Sequence, residues 1–300
     1  MKNHINKLNH IENLSIKENV PLKDYTTMQV GGPADLFLTP KSEKALIKLI
    51  KLITNINKPY FVLGKGSNII VGDKGYRGII IYTGSFNKIT FNNNNIIAQS
   101  GSTLKDLADI AQRHSLAGME FASGIPGSLG GAIYMNAGAY GGEMKDIIKK
   151  VLILNNNGQK NMLKKNNLNL SYRNSIFHNK KYIILNALIE LHKADKIQIN
   201  KKMQKLNKKR KNKQPLEYPS AGSFFKRPDN HYTGPLIEKA NMKGYQIGGA
   251  KVSEKHAGFI INTGDATAKD IIKLIQKIQK EVYALSGVKL KPEPKFIGQF

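Results

Sequence analysis

The sequence predicts an α+β fold in which α/β units follow one another along the 300-residue chain. Three observations support this class. Short apolar runs that are typical of buried strands alternate with segments of helical period. Two glycine-rich segments follow strand-like or helical runs, and a lysine-rich stretch over 195–213 separates the last third of the chain from the rest. A chain of this length can hold two or three domains, each with its own core.

The first predicted domain, residues 1–85, has the element order β-α-β-loop-β. Residues 1–20 show no sustained period and predict a short helix or arm. A strand over 34–39 ends at Pro40, and Ser42 then caps a helix whose apolar residues share one face. The remaining predicted elements of this domain are two strands, at 60–63 and 78–82.

The second predicted domain, residues 86–195, combines one helix with a sheet. A strand at 96–100 precedes an amphipathic helix over 103–116, and a long glycine-rich segment follows that helix. Two further strands, at 151–154 and 182–191, complete the domain.

The third predicted domain, residues 196–300, begins with the lysine-rich stretch. We interpret this stretch as an exposed linker helix, and an arm that binds nucleic acid is the alternative. A segment rich in glycine and proline follows it. The predicted elements after that segment are a helix at 235–240, a strand at 257–261 and a long C-terminal helix over 267–285.

The two glycine-rich segments are the most informative feature of the chain. One is the turn at 63–68, and the other runs from Glu120 to Gly142. Glycine is entropically costly in folded protein, so this density needs a reason. The usual reason is backbone that turns sharply while its N–H groups approach a ligand, often a phosphate. Together the two segments predict a large phosphate-bearing cofactor.

Composition excludes several classes of function. The chain has no cysteine, which rules out disulfides, thiolate metal sites and a cysteine nucleophile. No apolar run reaches the roughly 18 residues that a membrane span needs. The polar N-terminus lacks the apolar region of a signal peptide. We therefore expect a soluble protein of the cytoplasm.

The net charge of +26, from 47 basic and 21 acidic residues, raises nucleic acid as a partner. Two observations weigh against it. Only five of the basic residues are arginines, although arginine dominates the recognition of bases and phosphates. Asparagine, lysine and isoleucine are abundant throughout, as A+T-rich codons would produce, and the run of four asparagines at 92–95 is one example. We expect most of the lysine excess to be solvated surface that also attracts anionic small molecules.

Four residues outside the glycine-rich segments stand out. Arg173 either snorkels at a sheet edge or clamps a carboxylate or phosphate. Ser223 is either a turn-forming serine or a functional hydroxyl, and no Gly-x-Ser-x-Gly elbow supports a hydrolase nucleophile. Glu293 is either a surface charge or a carboxylate whose backbone is fixed by the prolines on both sides. His256 has no residue at metal-ligand spacing, so we predict no metal site.

Taken in order, these segments resemble one family: the bacterial UDP-N-acetylenolpyruvoylglucosamine reductases, of the flavin-dependent superfamily that includes vanillyl-alcohol oxidase and p-cresol methylhydroxylase. The chain resembles the shorter subtype, which lacks a long insertion between Arg173 and Ser223. It departs from the common pattern at Gln29, where a basic residue is frequent, and at Pro294, where an aliphatic residue is usual. The segments that carry the resemblance are Tyr25-Thr-Thr-Met-Gln-Val-Gly-Gly32, Gly64-Lys-Gly-Ser-Asn68, Gly124-Ile-Pro-Gly-Ser-Leu-Gly-Gly-Ala132, Met135-Asn-Ala-Gly-Ala-Tyr-Gly141, Ser171-Tyr-Arg173, Gln214-Pro215, Gly222-Ser-Phe-Phe-Lys226 and Pro292-Glu293.

The resemblance implies a two-part FAD-binding region of the vanillyl-alcohol oxidase/p-cresol methylhydroxylase type plus a C-terminal α/β substrate-binding domain. It implies FAD as a noncovalent cofactor, because superfamily members that tether FAD use His or Cys, and neither glycine-rich segment contains a histidine. It also implies NADPH as the hydride-donating co-substrate. The implied cofactor-binding residues are Gly64, Lys65, Gly66, Ser67, Asn68, Ser123, Gly124, Ile125, Pro126, Gly127, Ser128, Gly130 and Gly131.

The implied reaction reduces the enolpyruvyl ether of UDP-N-acetylglucosamine to UDP-N-acetylmuramate, a cytoplasmic step of peptidoglycan precursor synthesis. The resemblance makes Ser223, Arg173 and Glu293 the catalytic residues. Arg173 and Glu293, the latter protonated or sharing a proton, would stabilise an enolate, and Ser223 would give its proton to the enolate carbon. The implied substrate-binding residues are Tyr140, Tyr172, Arg210, Lys213, Lys226 and His256.

We expect the partners to be small-molecule substrates, the UDP-sugar and NADPH, with no nucleic acid, no membrane insertion and no obligate protein partner. Two alternatives stay open. A nucleic-acid-binding module is motivated by the net charge and the lysine-rich stretch. Another flavin oxidoreductase of the same superfamily, such as a carbohydrate or alcohol oxidase, is the nearer alternative.

Overall fold

The computed structural model describes residues 2–56 and 58–300, with side chains from residue 6 onward. None of the described helices is long and apolar enough to cross a membrane. The helices are α1 (Lys2–Asn9), α2 (Glu43–Asn55), α3 (Leu104–Arg113), α4 (Leu129–Tyr134), α5 (Met144–Ile147), α6 (Lys196–Lys213), α7 (Thr233–Lys239) and α8 (Ala268–Ser286). The strands are β1 (Leu14–Pro21), β2 (Pro33–Pro40), β3 (Tyr60–Leu63), β4 (Ile69–Val71), β5 (Tyr76–Tyr82), β6 (Ile89–Asn92), β7 (Asn95–Gln99), β8 (Leu116–Ala117), β9 (Gly138–Ala139), β10 (Gly142–Glu143), β11 (Ile148–Leu154), β12 (Lys160–Lys164), β13 (Ile183–Glu190), β14 (His192–Lys193), β15 (Ser220–Ser223), β16 (Gln246–Ile247), β17 (Ala250–Val252), β18 (Phe259–Asn262) and β19 (Lys295–Ile297).

The chain divides into two compact units, and neither is a continuous stretch of sequence. The first unit comprises the described residues up to Glu18, together with Leu36–Lys65 and Gly78–Lys209. The second comprises Asn19–Asp35, Gly66–Arg77 and Arg210–Phe300. The division into domains at residues 85 and 195 stays a prediction.

One core of the first unit lies under α2. Ser42 caps this helix as the sequence predicts, since its Oγ accepts a hydrogen bond from the Ala45 N–H at 3.1 Å. The buried face of α2 packs with Leu36, Leu38 and strand residues of a sheet in the order β1-β2-β5-β3, in which β3 and β5 run parallel. Each large aliphatic side chain buried there contributes about 1.5–3 kcal/mol relative to exposure.

A second core of the first unit lies between α3 and an antiparallel sheet in the order β12-β11-β13-β7-β6. Thr103 caps α3 by accepting from the Asp106 N–H at 3.0 Å. The asparagine run that we attributed to codon bias also has a structural role. Asn92 pairs with Asn95 around a two-residue turn in which Asn93 has φ +53°. Asparagine tolerates this left-handed backbone, which short hairpins need.

The lysine-rich stretch forms a helix, α6, as predicted, but this helix is more than an exposed linker. Ile199 and Met203 are buried in the second core of the first unit. They are four positions apart and so share one helix face. The helix has only four apolar residues among many lysines, too few for the sequence to indicate which face is buried.

The second unit packs α7 and α8 on an antiparallel sheet in the order β15-β18-β17-β16. Thr267 and Asp270 form a capping box at the start of α8, and Gly287, with φ +68°, ends the helix. Strand β19 runs parallel to β4, with Lys295 opposite Ile69. This pairing brings the segment that follows Glu293 beside the segment that follows Asn68.

Candidate active site

The first glycine-rich turn begins where β3 ends. A Cβ atom on Gly64 would lie 2.3 Å from the Oγ of Ser128, so the turn approaches the second glycine-rich segment too closely for a side chain there. Gly66 has φ +62°, and a Cβ on it would lie 2.0 Å from the carbonyl oxygen of Tyr25. The geometry therefore requires glycine at both positions, for close approach at the first and for left-handed, crowded backbone at the second.

The second glycine-rich segment is fastened to the turn that precedes α3. The Leu129 N–H donates to the Ser102 carbonyl at 2.9 Å, and the Gly130 N–H donates to the Ser100 carbonyl at 2.8 Å. At the other end of the segment, the Ser123 hydroxyl lies 3.2 Å from Asn207 Oδ1 on α6. The loop of residues 124–128, which leads into α4, is thus held on both sides.

The buried hydroxyls of Ser100 and Ser102 show whether this region fits a phosphate-bearing cofactor. Ser100 and Ser102 are only 3% and 1% exposed, and the Oγ of each has no hydrogen-bond partner within the described part of the chain. Buried polar groups are nearly always paired, so an unpaired one needs an explanation. Both serines are bonded through their backbone to the glycine-rich segment. The two unpaired hydroxyls, together with the Lys65 cation in the first glycine-rich turn, suit FAD.

Tyr140 lies at the tip of the hairpin formed by β9 and β10. Ala139 pairs with Gly142, which leaves Tyr140 and Gly141 as a two-residue loop with φ +53° and φ +88°. Two central residues of positive φ are typical of the tight turns that join antiparallel strands. The Tyr140 side chain is 40% exposed at this tip, where a ligand can reach it.

Arg173 lies in a tight turn and is oriented by the same hairpin. Ser171 and Asn174 exchange backbone hydrogen bonds of 3.1 and 3.2 Å around it. Arg173 has φ +51°, an uncommon conformation for a long side chain. Its Nη2 donates to the Gly138 carbonyl at 3.3 Å, and its guanidinium carbon lies 5.0 Å from the ring centre of Tyr172, which is exposed. These two contacts fix the direction of the guanidinium.

Ser223 lies at the end of β15, next to a β-bulge. Ser220 pairs with Ile261 and Ser223 with Phe259, so β15 carries one extra residue between the two pairs. Gly222 has φ +77° within that irregularity. Bulges re-aim the side chains beside them and are frequent at active sites. The bulge leaves Ser223 exposed, whereas Phe224 and Phe225 are buried and anchor the strand.

Glu293 is held beside Ser223 by backbone pairing. Its N–H donates to the Phe224 carbonyl at 2.9 Å, and the Lys226 N–H donates to the Lys291 carbonyl at 2.9 Å. On its other side, Asn68 Nδ2 donates to the Glu293 carbonyl at 3.4 Å. The backbone of this half-buried glutamate is thus fixed by hydrogen bonds as well as by its flanking prolines.

His256 has a half-buried side chain, and its Nδ1 accepts from the Gly258 N–H at 3.0 Å. Burial is the main cause that lowers the pKa of this imidazole below its ordinary value of 6.5. Lys213 and Lys243 act in the same direction, and Glu238 opposes them. The ring is therefore neutral near pH 7, with its proton on Nε2. Arg210, earlier on α6, is buried, at 7% exposure.

One motif of the sequence has a connecting role that sequence reasoning missed. The Thr27 N–H donates to the Gly66 carbonyl at 3.3 Å, and its hydroxyl donates to the Ser220 carbonyl at 2.7 Å. Asn262 Nδ2 donates to the Met28 carbonyl at 3.1 Å. The segment 25–32 thus ties the first glycine-rich turn to the strand that carries Ser223. Its two threonines before a pair of glycines were the only signal in the sequence.

Within the first unit, the structure brings Gly64 to Ser128 and Arg173 to the Tyr140 hairpin. Within the second unit, it brings Glu293 and Lys226 to Ser223, and Lys213 close enough to His256 to affect its pKa. Among the described residues, no group of three or more His, Asp or Glu side chains is placed to hold a metal ion.

Comparison with known proteins decides the family. The family model described as UDP-N-acetylenolpyruvoylglucosamine reductase, C-terminal domain, matches residues 214–297, and the model described as FAD binding domain matches residues 34–160. The UDP-N-acetylenolpyruvoylglucosamine reductase of Caldanaerobacter subterraneus subsp. tengcongensis is 50% identical over 279 residues, which cover 93% of this chain and 92% of the relative. The protein of that name from Clostridium perfringens strain SM101 is 47% identical over 279 residues, with the same two shares of 93% and 92%. The chain belongs to the UDP-N-acetylenolpyruvoylglucosamine reductase family.

A solved structure supports the same conclusion. The crystal structure of UDP-N-acetylenolpyruvylglucosamine reductase from Thermus caldophilus matches with a TM-score of 0.83 at 33% identity, covering 95% of this chain and 100% of that one. The predicted α+β fold class, with an FAD-binding region and a reductase C-terminal domain, is confirmed. The chain is a flavin-dependent oxidoreductase that reduces UDP-N-acetylenolpyruvoylglucosamine. The expected small-molecule substrate is thereby confirmed, while the roles of individual residues stay predictions.

Proposed function

We propose that this reductase uses NADPH as its reductant, holds FAD without a covalent bond and forms UDP-N-acetylmuramate. We place this reaction in the cytoplasm, as a step of peptidoglycan precursor synthesis, with no obligate protein partner. The lack of cysteine in the chain and of histidine in both glycine-rich segments supports the noncovalent cofactor. When bound, FAD accepts a hydride from NADPH and supplies one to the vinyl carbon of the enolpyruvyl ether.

The residues that hold the cofactor are the two glycine-rich segments, Gly64–Asn68 and residues 123–131. Their backbone N–H groups and the Lys65 cation suit the negative charge of the diphosphate. The buried hydroxyls of Ser100 and Ser102 lie directly behind the second segment. The chain's part in this step would be to bind the cofactor and to orient it.

The chemistry of the second half-reaction explains the charged residues. Addition of a hydride to an alkene next to a carboxylate produces an enolate with an additional negative charge. Fixed donors aimed at that charge lower the barrier, and one such donor is typically worth about 3–4 kcal/mol. Arg173 supplies a planar pair of donors. Glu293 supplies one more donor when it carries or shares a proton in the substrate complex.

Ser223 gives its hydroxyl proton to the carbon of the enolate that bears the carboxylate. A serine hydroxyl is a weak acid, but an enolate dianion is an unusually strong base. The observation that carries this proposal is the hydrogen bond from the Glu293 N–H to the Phe224 carbonyl, at 2.9 Å. This hydrogen bond holds Glu293 next to Phe224, the residue that follows Ser223 in the chain.

The remaining predicted residues bind the anionic substrates. Lys213, Lys226 and Arg210 provide positive charge for diphosphate and carboxylate groups. His256, neutral near pH 7, donates from Nε2. The aromatic rings Tyr140 and Tyr172 are exposed and can stack on a sugar, a base or the nicotinamide.

The proposal is tested by absorbance and by turnover. The purified protein will show the flavin spectrum, and acid precipitation will release all of the flavin into the supernatant. Oxidation of NADPH will be fast with UDP-N-acetylenolpyruvoylglucosamine present and slow without it. Yellow colour that stays in the pellet would contradict the noncovalent cofactor. Equal rates with and without the enolpyruvyl substrate would contradict the reaction.

A further inference from the structure

Asn136 is the most completely enclosed polar side chain near the predicted substrate-binding residues. It is 0% exposed and has φ +42°, in the left-handed region that asparagine tolerates better than most residues. A buried amide is costly unless its donors and acceptor are paired. This side chain pairs all of its polar atoms, and each partner belongs to a segment that the site uses.

Three hydrogen bonds of Asn136 join two separate segments. Its Oδ1 accepts from the Lys145 N–H at 2.8 Å. Its Nδ2 donates to the Glu143 carboxylate at 2.6 Å and to the Ser171 carbonyl at 3.0 Å. Glu143 ends the hairpin that carries Tyr140, and Ser171 begins the turn that carries Arg173. One buried amide therefore ties the hairpin to the turn.

The bond to Glu143 is the strongest of the three. Its acceptor is the carboxylate group that also pairs with Lys145, its distance is short, and the donor is shielded from water. Glu143 also forms an ion pair with Lys145, whose backbone Asn136 binds. A second link between the same two segments is the hydrogen bond from Arg173 Nη2 to the Gly138 carbonyl. The direction of the Arg173 guanidinium thus depends on how the hairpin stands against the turn.

We propose that Asn136 is a positioning residue for the reduction of the enolpyruvyl substrate. It holds the Ser171–Asn174 turn against the Tyr140 hairpin, and it thereby fixes the guanidinium of Arg173. It does not touch substrate or cofactor itself. This inference rests on the proposed role of Arg173, so its test has to separate the two.

The decisive substitution is Asn136→Asp. Aspartate has the same shape and keeps the acceptor for the Lys145 N–H, but it loses both donors and brings a second negative charge against Glu143. The matched control is Asn174→Asp, since Asn174 lies in the same turn, is exposed and makes only a 3.4 Å side-chain bond to Ser171 Oγ. Flavin content and the two half-reactions are measured separately by stopped-flow absorbance.

We expect Asn136→Asp to retain FAD and to be reduced by NADPH within about 2-fold of wild type. Its reoxidation by UDP-N-acetylenolpyruvoylglucosamine will be slower by 10- to 100-fold, which corresponds to about 1.4–2.7 kcal/mol. The control Asn174→Asp will stay within about 3-fold in both half-reactions. Equal losses in both half-reactions, or a variant indistinguishable from Asn174→Asp, would overturn the proposal.

A double-mutant cycle with Arg173→Lys tests whether Asn136 acts through the arginine. If it does, adding Asn136→Asp to Arg173→Lys will cost much less than it costs alone. Multiplicative losses would refute the positioning role while leaving the role of Arg173 intact. A silent Arg173→Lys would instead refute the proposed role of the arginine. If Asn136→Asp does not fold, Glu143→Gln replaces it in the test. We expect Glu143→Gln to show a smaller loss that is confined to reoxidation. A loss in both half-reactions would again refute the proposal.

Discussion

Replacing Gly66 by alanine tests whether the first glycine-rich turn must be glycine for the reason that its geometry gives. Two costs arise at this position. The backbone has φ +62°, where a Cβ atom is disfavoured by about 1–2 kcal/mol. In addition, the new Cβ would lie 2.0 Å from the carbonyl oxygen of Tyr25, and a backbone oxygen cannot rotate out of the way.

Gly287 isolates the first cost from the second. It has φ +68° at the end of α8, and nothing lies within 4 Å of the Cβ that an alanine would add. We therefore expect Gly287→Ala to lower the free energy of unfolding by about 1–2 kcal/mol. Gly66→Ala adds overlap with backbone, which typically costs a further 1–3 kcal/mol. To relieve it, the turn has to move by about 1 Å, a shift large enough to weaken its contacts with a bound diphosphate.

The assay combines urea unfolding of each variant with titration of its apoprotein with FAD, followed by flavin fluorescence. Gly287→Ala will bind FAD as the wild type does. Gly66→Ala will be the less stable variant and will bind FAD at least about 10-fold more weakly, a loss of about 1.4 kcal/mol. Equal stability of the two variants, or wild-type FAD affinity in Gly66→Ala, would show that the turn adapts freely and that its crowding has no functional weight.

Four further predictions concern the predicted catalytic and substrate-binding residues. Ser223→Ala will leave reduction by NADPH near wild type and slow reoxidation by the enolpyruvyl substrate by orders of magnitude, in stopped-flow absorbance; equal losses would indicate a folding role. Arg173→Lys will lower turnover strongly because the planar fork is lost, whereas Arg113→Lys, at an exposed position of α3, will be nearly silent; similar losses in the two variants would refute the assignment. In single-turnover reoxidation between about pH 6 and pH 9, Glu293→Gln will retain more activity than Glu293→Ala, and Glu293→Asp will fall well below wild type. If all three variants match wild type, Glu293 is a surface charge. The folded-state pKa of His256 lies below 6.5, so protonation of this buried ring as the pH falls through 6.5 destabilises the wild type but not His256→Gln. The melting temperature of the wild type will therefore fall further than that of His256→Gln between about pH 7.5 and pH 5.5. Equal falls in the two proteins would contradict this.

Local sequence was sufficient for the longer helices and for the family, but it missed strand β1 (Leu14–Pro21), because residues 1–20 predicted only a short helix or arm. Ser42 was recognisable as a helix cap because a cap bonds to backbone only three residues away, whereas Thr103 and Thr267, the first residues of two predicted helices, were identified as caps only by the structure. The long amphipathic helix α8 followed from its period. The glycine-rich segments, the Ser171-Tyr-Arg173 motif and the segments around Ser223 and Glu293 together identified the family, since their order and spacing are specific even though each motif alone is weak.

Other features depend on segments that are far apart in the sequence. The Thr27 hydroxyl meets the Ser220 carbonyl across 193 residues, and no pattern near either residue indicates this partner. The same holds for Asn136 and Ser171, which are 35 residues apart. Such a hydrogen bond forms only after the two segments have been packed into place. Its energy then depends on the burial of both partners and not on their neighbours in the chain.

The bulge beside Ser223 and the buried face of α6 have the same origin. Gly222 marked a bend in the sequence, but which residue of β15 is unpaired depends on the register with β18. Ile199 and Met203 gave α6 too weak a period to predict a buried face, and they are buried because the core of the first unit lies beside them. Local propensities determine where helices, turns and caps form, whereas the register of strands and the pairing of distant polar groups are set by the packing that minimises exposed apolar surface and unpaired donors.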